Sequence, residues 1–321
     1  MTTSRGRELG ERLRGGDLGA APAVLNLLES RTPAARAEAE ALLDAVSVSA
    51  LGGEAPAHVV GVTGPPGVGK SSLLSRLVAE WRGRGRSVAV LAVDPSSRRS
   101  GGSLLGDRAR IEVDPADPRI FVRSTAAGER LGGLAPATRA AAAALAAAFD
   151  VVVIETVGVG QSETEVADVA DTVAVIVQPA SGDVLQFLKA GIMEVPDVLV
   201  VTKADLGRVA TRAMADLRSA LRSLGARKTR VVAVSSAAPP QGIGDLVDAL
   251  DAHRDSLDLP ARRLRARRAA ALAAFVTEHG ERGLRALGGR RAAERWLDTQ
   301  DPGLAVPALE RALEERALAA S

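Results

Sequence analysis

The chain has 321 residues and 46% hydrophobic content, enough for one medium core plus additions. It has no cysteine, which excludes disulfides, zinc-thiolate sites and thiol catalysis. Its formal charge of +2 implies no bulk attraction to nucleic acid or membrane. No run of 18 apolar residues exists, and the stretch after Met1 lacks an apolar signal core, so a soluble cytoplasmic protein is expected.

Residues 1–50 predict short helices, with a break at Arg31-Thr32-Pro33. Gly52 to Pro56 marks a boundary. From residue 58, strands and helices alternate, which predicts an α/β fold with a mostly parallel sheet and helices on both faces. The strand candidates are His58–Val62, Ser87–Val93, Ile120–Arg123, Val151–Ile154, Thr172–Val177, Val198–Thr202 and Thr229–Val234. Several are unbroken Val/Ile/Leu runs, as expected where both faces are covered. Ligands on such sheets bind beyond the carboxyl ends of the strands, so the polar residues there are the candidates.

After the first strand, Gly64, Pro65, Pro66, Gly67, Val68, Gly69, Lys70 and Ser71 fit the phosphate-loop spacing, with Ser72 continuing into a helix. The glycines let backbone N–H groups face a polyphosphate, and the new helix adds its positive end. Lys70 is expected to reach the β- and γ-phosphates, and Ser71 to offer its hydroxyl to Mg²⁺. Of 41 basic residues only Lys70, Lys189, Lys203 and Lys228 are lysines. Three of these fall in segments singled out on other grounds, where a compact ammonium is useful.

Asp94 follows the second strand and is placed to hold Mg²⁺ or position water, although an Asp there also caps turns. Asp107 and Arg108, in a Gly-rich stretch, are placed to meet metal or phosphate. Glu155, after the strand Val151–Ile154, takes the position of a second metal-side carboxylate. Gly158 fits a backbone donor to the γ-phosphate, lost on hydrolysis, so the loop becomes a switch. Gln161 either orients water or is an ordinary loop residue. Asp183, Gln186 and Lys189 recur at i, i+3 and i+6, roughly one helical face, which also suits a solvated helix start.

Thr202-Lys203-Ala204-Asp205 is close to a guanine-reading Asn-Lys-x-Asp. Asp205 would accept from guanine N1–H and the 2-amino group, which adenine cannot supply. Lys203 would lay its stem over the ring. Thr202 replaces an amide by a hydroxyl. In Ser235-Ser236-Ala237, Ser236 and Ala237 fit the second guanine loop, with Ala237 N–H toward O6.

Together these strings resemble the MeaB/ArgK family of GTPases, the methylmalonyl-CoA mutase-associated G-protein chaperones. The likeness rests on Gly64–Ser72, Val93–Ser97, Gly101–Arg108, Glu155–Glu163, Gly182–Gln186 and Lys189–Glu194, and it extends more weakly to both ends. The resemblance implies a P-loop GTPase binding GTP, GDP and Mg²⁺, of the nucleotide-dimerised class, with helical additions at both ends. It implies a partner, an adenosylcobalamin-dependent acyl-CoA mutase whose cofactor loading the protein gates and which it protects. It makes Asp94, Asp107 and Glu155 the metal and catalytic carboxylates. It makes Asp183, Gln186 and Lys189 the switch that signals to the mutase. The chain departs from the family pattern at Thr202, at Arg98-Arg99-Ser100 and at Pro239-Pro240.

The expected organisation is an N-terminal helical extension over 1–52, the P-loop GTPase domain over 53–258 and a C-terminal helical dimerisation arm over 259–321. Pro260 is read as a break. Leu264, Leu272, Phe275 and Val276 share a face, followed by Leu284, Leu287, Trp296, Leu297, Leu309 and Leu313. Such faces bury against the chain's own core or a second subunit, and the resemblance favours a homodimer. Two other readings are a nickel-inserting metallochaperone GTPase and an ATP-dependent transport-associated kinase. The first needs a ligand cluster, and the chain has only His58, His253 and His279. The second needs ATP preference, which Asp205 opposes.

Overall fold

The computed structural model describes residues 4–94, 111–126, 134–156, 165–179, 196–226 and 228–319. Seven parallel strands form one sheet in the order β3-β2-β4-β1-β5-β6-β7. They are β1 His58–Thr63, β2 Val88–Asp94, β3 Ile120–Ala126, β4 Val151–Thr156, β5 Thr172–Val177, β6 Val198–Val201 and β7 Arg230–Ala233. Each lies within a few residues of its expected run. Strands β1, β4, β5 and β6 are buried at every position, which is why their sequences do not alternate.

Eleven helices are described: α1 Arg5–Arg14, α2 Ala21–Glu29, α3 Pro33–Ala45, α4 Val48–Leu51, α5 Lys70–Gly83, α6 Pro136–Leu145, α7 Arg208–Ser223, α8 Ile243–Asp255, α9 Leu259–Ala286, α10 Arg290–Leu297 and α11 Val306–Ala319. The chain forms two compact units. One comprises Ala57–Ala142 and Phe149–Leu257; the other comprises Met1–Pro56, Ala143–Ala148 and Asp258–Ser321.

In the sheet unit, α5 buries Leu73, Leu74, Leu77, Val78 and Trp81 against Val60, Val62, Val90 and Val153. Helix α8 joins the same face through Ile243, Leu246, Val247 and Leu250. Trp81 is fully buried, and removing such a ring costs about 3–5 kcal/mol. That packing holds the first turn of α5 rigidly at the carboxyl end of β1.

In the helical unit two expected breaks are helix starts. Thr32 Oγ1 accepts from Ala35 N at 3.2 Å, with Pro33 in the first turn of α3. Asp258 Oδ1 accepts from Ala261 N at 3.1 Å, with Pro260 in the first turn of α9. Proline is tolerated there because its missing N–H has no helical partner anyway. The apolar faces of α9, α10 and α11 close on one another: Leu272, Phe275, Leu284, Leu287, Leu297, Leu309 and Leu313 form one buried cluster. Trp296 packs against it, with the Arg316 guanidinium 5.1 Å above its ring.

The amino ends of the strands carry a buried polar network. Asp171 Oδ2 accepts from Val59 N at 2.9 Å and Asp197 Oδ2 from Val173 N at 2.8 Å. Thr172 Oγ1 lies 2.8 Å from His58 Nε2 and 2.9 Å from His253 Nδ1. His58 Nδ1 faces Asp251 at 3.7 Å, beyond hydrogen-bond range, while Arg86 grips Asp251 through both carboxylate oxygens at 2.8 and 2.9 Å. Burial pulls the His58 imidazole below its usual value. Burial raises the Asp251 carboxyl, but the facing His58 and Arg86 more than reverse this and hold it far below the carboxylate range.

These shifts have the same sign for stability. Below about pH 6.5 the unfolded chain protonates His58 and the native chain does not, so stability falls with acidification. Below about pH 4 the Asp251 contribution is lost in the same direction. Urea midpoints from pH 8 to 5 are expected to fall in the native protein, and to fall less in His58→Gln. Equal slopes for both proteins would contradict the assignment.

Candidate nucleotide site

Between β1 and α5 the chain turns through Gly64–Gly69. Gly64 sits at φ +146°, and a Cβ there would stand 2.2 Å from Ile176 O of β5. Only glycine lets the loop pass that close to the neighbouring strand. Gly69 caps α5 at φ +96° with no side-chain cap, so the first N–H groups of the helix remain for an anion. Val68 is buried and fixes the loop from below, while Pro66 and Gly67 face outward. The Lys70 side chain is buried, and its Nζ donates to Gly64 O at 2.8 Å and Pro65 O at 3.1 Å. The ammonium is therefore held across the mouth of the loop. Ser71 is half-buried beside it and Ser72 exposed.

Glu155 is buried near the carboxyl end of β4, level with Val62 of β1 and Ala92 of β2. Partners in register share a face, so Glu155 points to the side covered by α5. Lys70 and Ser71, which open α5, and Glu155 therefore lie toward the same carboxyl end of the sheet, on the face that α5 covers. Two oxygen donors there, a hydroxyl and a carboxylate, suit a hard divalent cation. Asp94 closes β2, but its side chain lies outside the described residues, as do Asp107, Gly158, Gln161, Asp183, Gln186 and Lys189.

The second half of the site follows β6. Thr202 is buried, its Oγ1 2.9 Å from Val68 O and 3.1 Å from Val177 O. The hydroxyl that replaces an amide in the Asn-Lys-x-Asp pattern therefore ties this loop to the phosphate loop. Lys203 has φ +54°, unique among the described non-glycine residues. Such left-handed backbone costs about 1–2 kcal/mol and marks functional turns. Its Nζ donates to Gln178 Oε1 at 2.5 Å. Asp205 is exposed, and its Oδ1 accepts from Ser235 Oγ at 2.5 Å.

Ser235 is the residue that sequence reasoning passed over in favour of Ser236 and Ala237. It is buried, donates to Asp205 and accepts from Ala237 N at 3.2 Å. Ala237 N–H, expected to face a base oxygen, is thus directed at Ser235 here. Ala204 N donates to Val234 O at 3.0 Å, and Arg76 Nε of α5 donates to Ser236 O at 3.1 Å. Two loops far apart in sequence become one rigid reader, braced on the helix that opens the phosphate loop.

Among the described residues, one grouping of three could hold a transition metal, Glu278, His279 and Glu314 in the helical unit. There His279 Nε2 lies 3.2 Å from Glu314 Oε1 on the surface. No helix among the described residues is long and apolar enough to cross a membrane.

The chain as a whole is similar to known proteins. A probable GTPase of Mycobacterium bovis is 41% identical over 255 residues, 78% of this chain and 75% of the relative. The mitochondrial methylmalonic aciduria type A homolog of Caenorhabditis briggsae is 40% identical over 231 residues, covering 69% and 56% of the two chains. A crystal structure of a LAO/AO transport system kinase superposes with a TM-score of 0.67 at 28% identity, covering 98% of each chain. The model of the methylmalonyl Co-A mutase-associated GTPase MeaB matches residues 21–285. The chain belongs to the MeaB family, and it is a P-loop GTPase that binds guanine nucleotide.

Proposed function

We propose that this GTPase is the chaperone of an adenosylcobalamin-dependent acyl-CoA mutase, methylmalonyl-CoA mutase or a relative, gating cofactor loading and protecting the enzyme. The observation that carries this reading is the mutase-associated family match over residues 21–285, supported by the phosphate loop and the tied loops after β6 and β7. The relative named for methylmalonic aciduria points the same way.

In this reading the N–H groups opening α5 and the Lys70 ammonium bind the β- and γ-phosphates. Lys70 exchanges the carbonyls of Gly64 and Pro65 for phosphate oxygens. Ser71 and Glu155, with Asp94 and Asp107, would hold Mg²⁺. When bound, Mg²⁺ would offset the charge that develops on the phosphoryl oxygens. Asp205 accepts from guanine N1–H and the 2-amino group, Ser235 orients that carboxylate, and Lys203 covers the base with its stem. Ser236 and Ala237 close the far edge of the base, and Gly158 reads the γ-phosphate. Asp183, Gln186 and Lys189 transmit the nucleotide state to the mutase.

The reading also includes cytoplasmic location, a homodimer and the three segments 1–52, 53–258 and 259–321. Leu272, Phe275, Leu284, Leu297, Leu309 and Leu313 are buried within the chain, so a second copy would meet the arm 259–321 at other residues. The test is nucleotide-dependent capture from the protein's own host. The mutase is expected to be retained differently with a nonhydrolysable GTP analogue than with GDP. Recovery of no cobalamin-dependent mutase in either state would contradict the proposal.

A further inference from the structure

Helix α9 kinks just after His279, because Gly280 has φ +61° and ψ −162°. The His279 ring is held in place there. Phe275, one turn back, faces it with 4.6 Å between ring centroids, and a Cβ on Gly283 would stand 2.4 Å from His279 Cβ. Its Nε2 lies 3.2 Å from Glu314 Oε1 of α11. Glu278, His279 and Glu314 each offer one ligand atom, and these atoms lie within 4.8 Å of one another.

Two ligands held about 2.1 Å from one zinc ion stand roughly 3.4 Å apart in a tetrahedron. The His279–Glu314 separation is already close to this. Glu278 is exposed, so a change of rotamer can bring in the third ligand. An imidazole beside two carboxylates suits a divalent transition ion better than Mg²⁺ or Ca²⁺, which take oxygen ligands. Water completes the shell at this surface position.

The surroundings are rich in negative charge. Glu310, one turn before Glu314, is half-buried. Burial raises its carboxyl, and Glu314, Glu278 and Glu40 of α3 raise it further, with Arg36 in partial opposition. Arg36 stands 3.8 Å from Glu278, too far to hold that carboxylate by a hydrogen bond. A bound dication would offset this crowding.

We propose that Glu278, His279 and Glu314 form a divalent transition-metal site, suited to zinc, that clamps α9 to α11 at the kink. A neutral ring that donates Nε2–H to Glu314 shifts this proton to Nδ1 on binding, which leaves the Nε2 lone pair for the metal. The clamp joins positions 35 residues apart, and metal clips across long loops stabilise by restricting the unfolded chain. The site uses none of the nucleotide-binding side chains.

The test uses the full chain, stripped with a chelator and reloaded with GDP and excess Mg²⁺, so that Mg²⁺ fills the nucleotide site. Zinc is then titrated in competition with a chromophoric indicator, and thermal melting is followed with and without it. The native protein is expected to take up one zinc ion per chain and to melt at a higher temperature with zinc. His279→Ala and Glu314→Gln should each weaken zinc by tenfold or more, since even outer-shell partners of a metal are worth about 10–100-fold. Both variants alter surface side chains, and GTP turnover in Mg²⁺ should match the native rate. Three results would overturn the proposal. They are no zinc uptake in the presence of excess Mg²⁺, native affinity in either variant, and an equal zinc-dependent melting shift in the native protein and His279→Ala.

Discussion

Lys70→Ala is expected to lower the GTP turnover number by about 10²–10³ or more, the scale for losing one preorganised donor to a transition-state charge. The ammonium is already buried and directed across the phosphate loop by two carbonyls, so it needs little reorganisation to meet phosphate oxygens. Without it, the developing charge has only backbone N–H groups and the metal. Lys70→Arg should fail to rescue, because a planar fork does not fit where a compact ammonium bridges Gly64 and Pro65. GDP binding should weaken less than turnover, since the loop backbone remains. The measurement is steady-state phosphate release, with thermal melting as the folding control. Turnover near that of the native protein would remove Lys70 from the catalytic assignment.

Asp205→Asn carries the second large effect. A hydrogen bond to a charged acceptor is worth about 1.5–3 kcal/mol, or roughly 10–150-fold in affinity. The geometry sharpens the argument. Ser235 donates to Asp205 Oδ1, so an amide at this position must turn its carbonyl to Ser235 and its NH₂ to the other side. That side then offers a donor where guanine also offers one. GTP affinity should fall, ATP affinity should stay low, and xanthosine triphosphate, with a carbonyl at C2, should bind better than to the native protein. Titration calorimetry reads all three. Equal ATP and GTP affinity in the native protein would end the guanine assignment. Ser235→Ala should give a smaller loss of the same selectivity, because the carboxylate remains but loses its brace.

Much of this was legible in the residues. The strands are continuous Val/Ile runs because both faces of a parallel sheet are covered, and polar residues such as His58, Glu155 and Thr202 mark their ends. The phosphate loop is local, a strand, a glycine turn and a helix start within fifteen residues or so. Other features depend on tertiary contacts and left no local signal. Ser235 and Asp205 meet across 30 positions, and nothing in Ser235-Ser236-Ala237 says which serine faces inward. Thr202 looked like a weakened amide; its partner, the Val68 carbonyl, lies 134 positions away. Pro33 and Pro260 read as breaks, although proline equally opens a helix when Thr32 or Asp258 caps it. The apolar face of 259–321 fits a subunit contact and a private core equally well on a helical wheel. The structure buries it within the chain through α9, α10 and α11.

In the proposed function this GTPase is a timer whose rate a cobalamin-dependent acyl-CoA mutase sets. A P-loop GTPase lacking a transition-state cation in place is slower by about 10³–10⁵, which leaves wide room for a partner to act. Steady-state phosphate release from GTP, with and without the co-purifying mutase, tests this most directly. The account predicts slow turnover alone and a marked acceleration by the mutase, with Lys189→Ala keeping the basal rate and losing the acceleration. Fast turnover alone, unchanged by any such mutase, would contradict it.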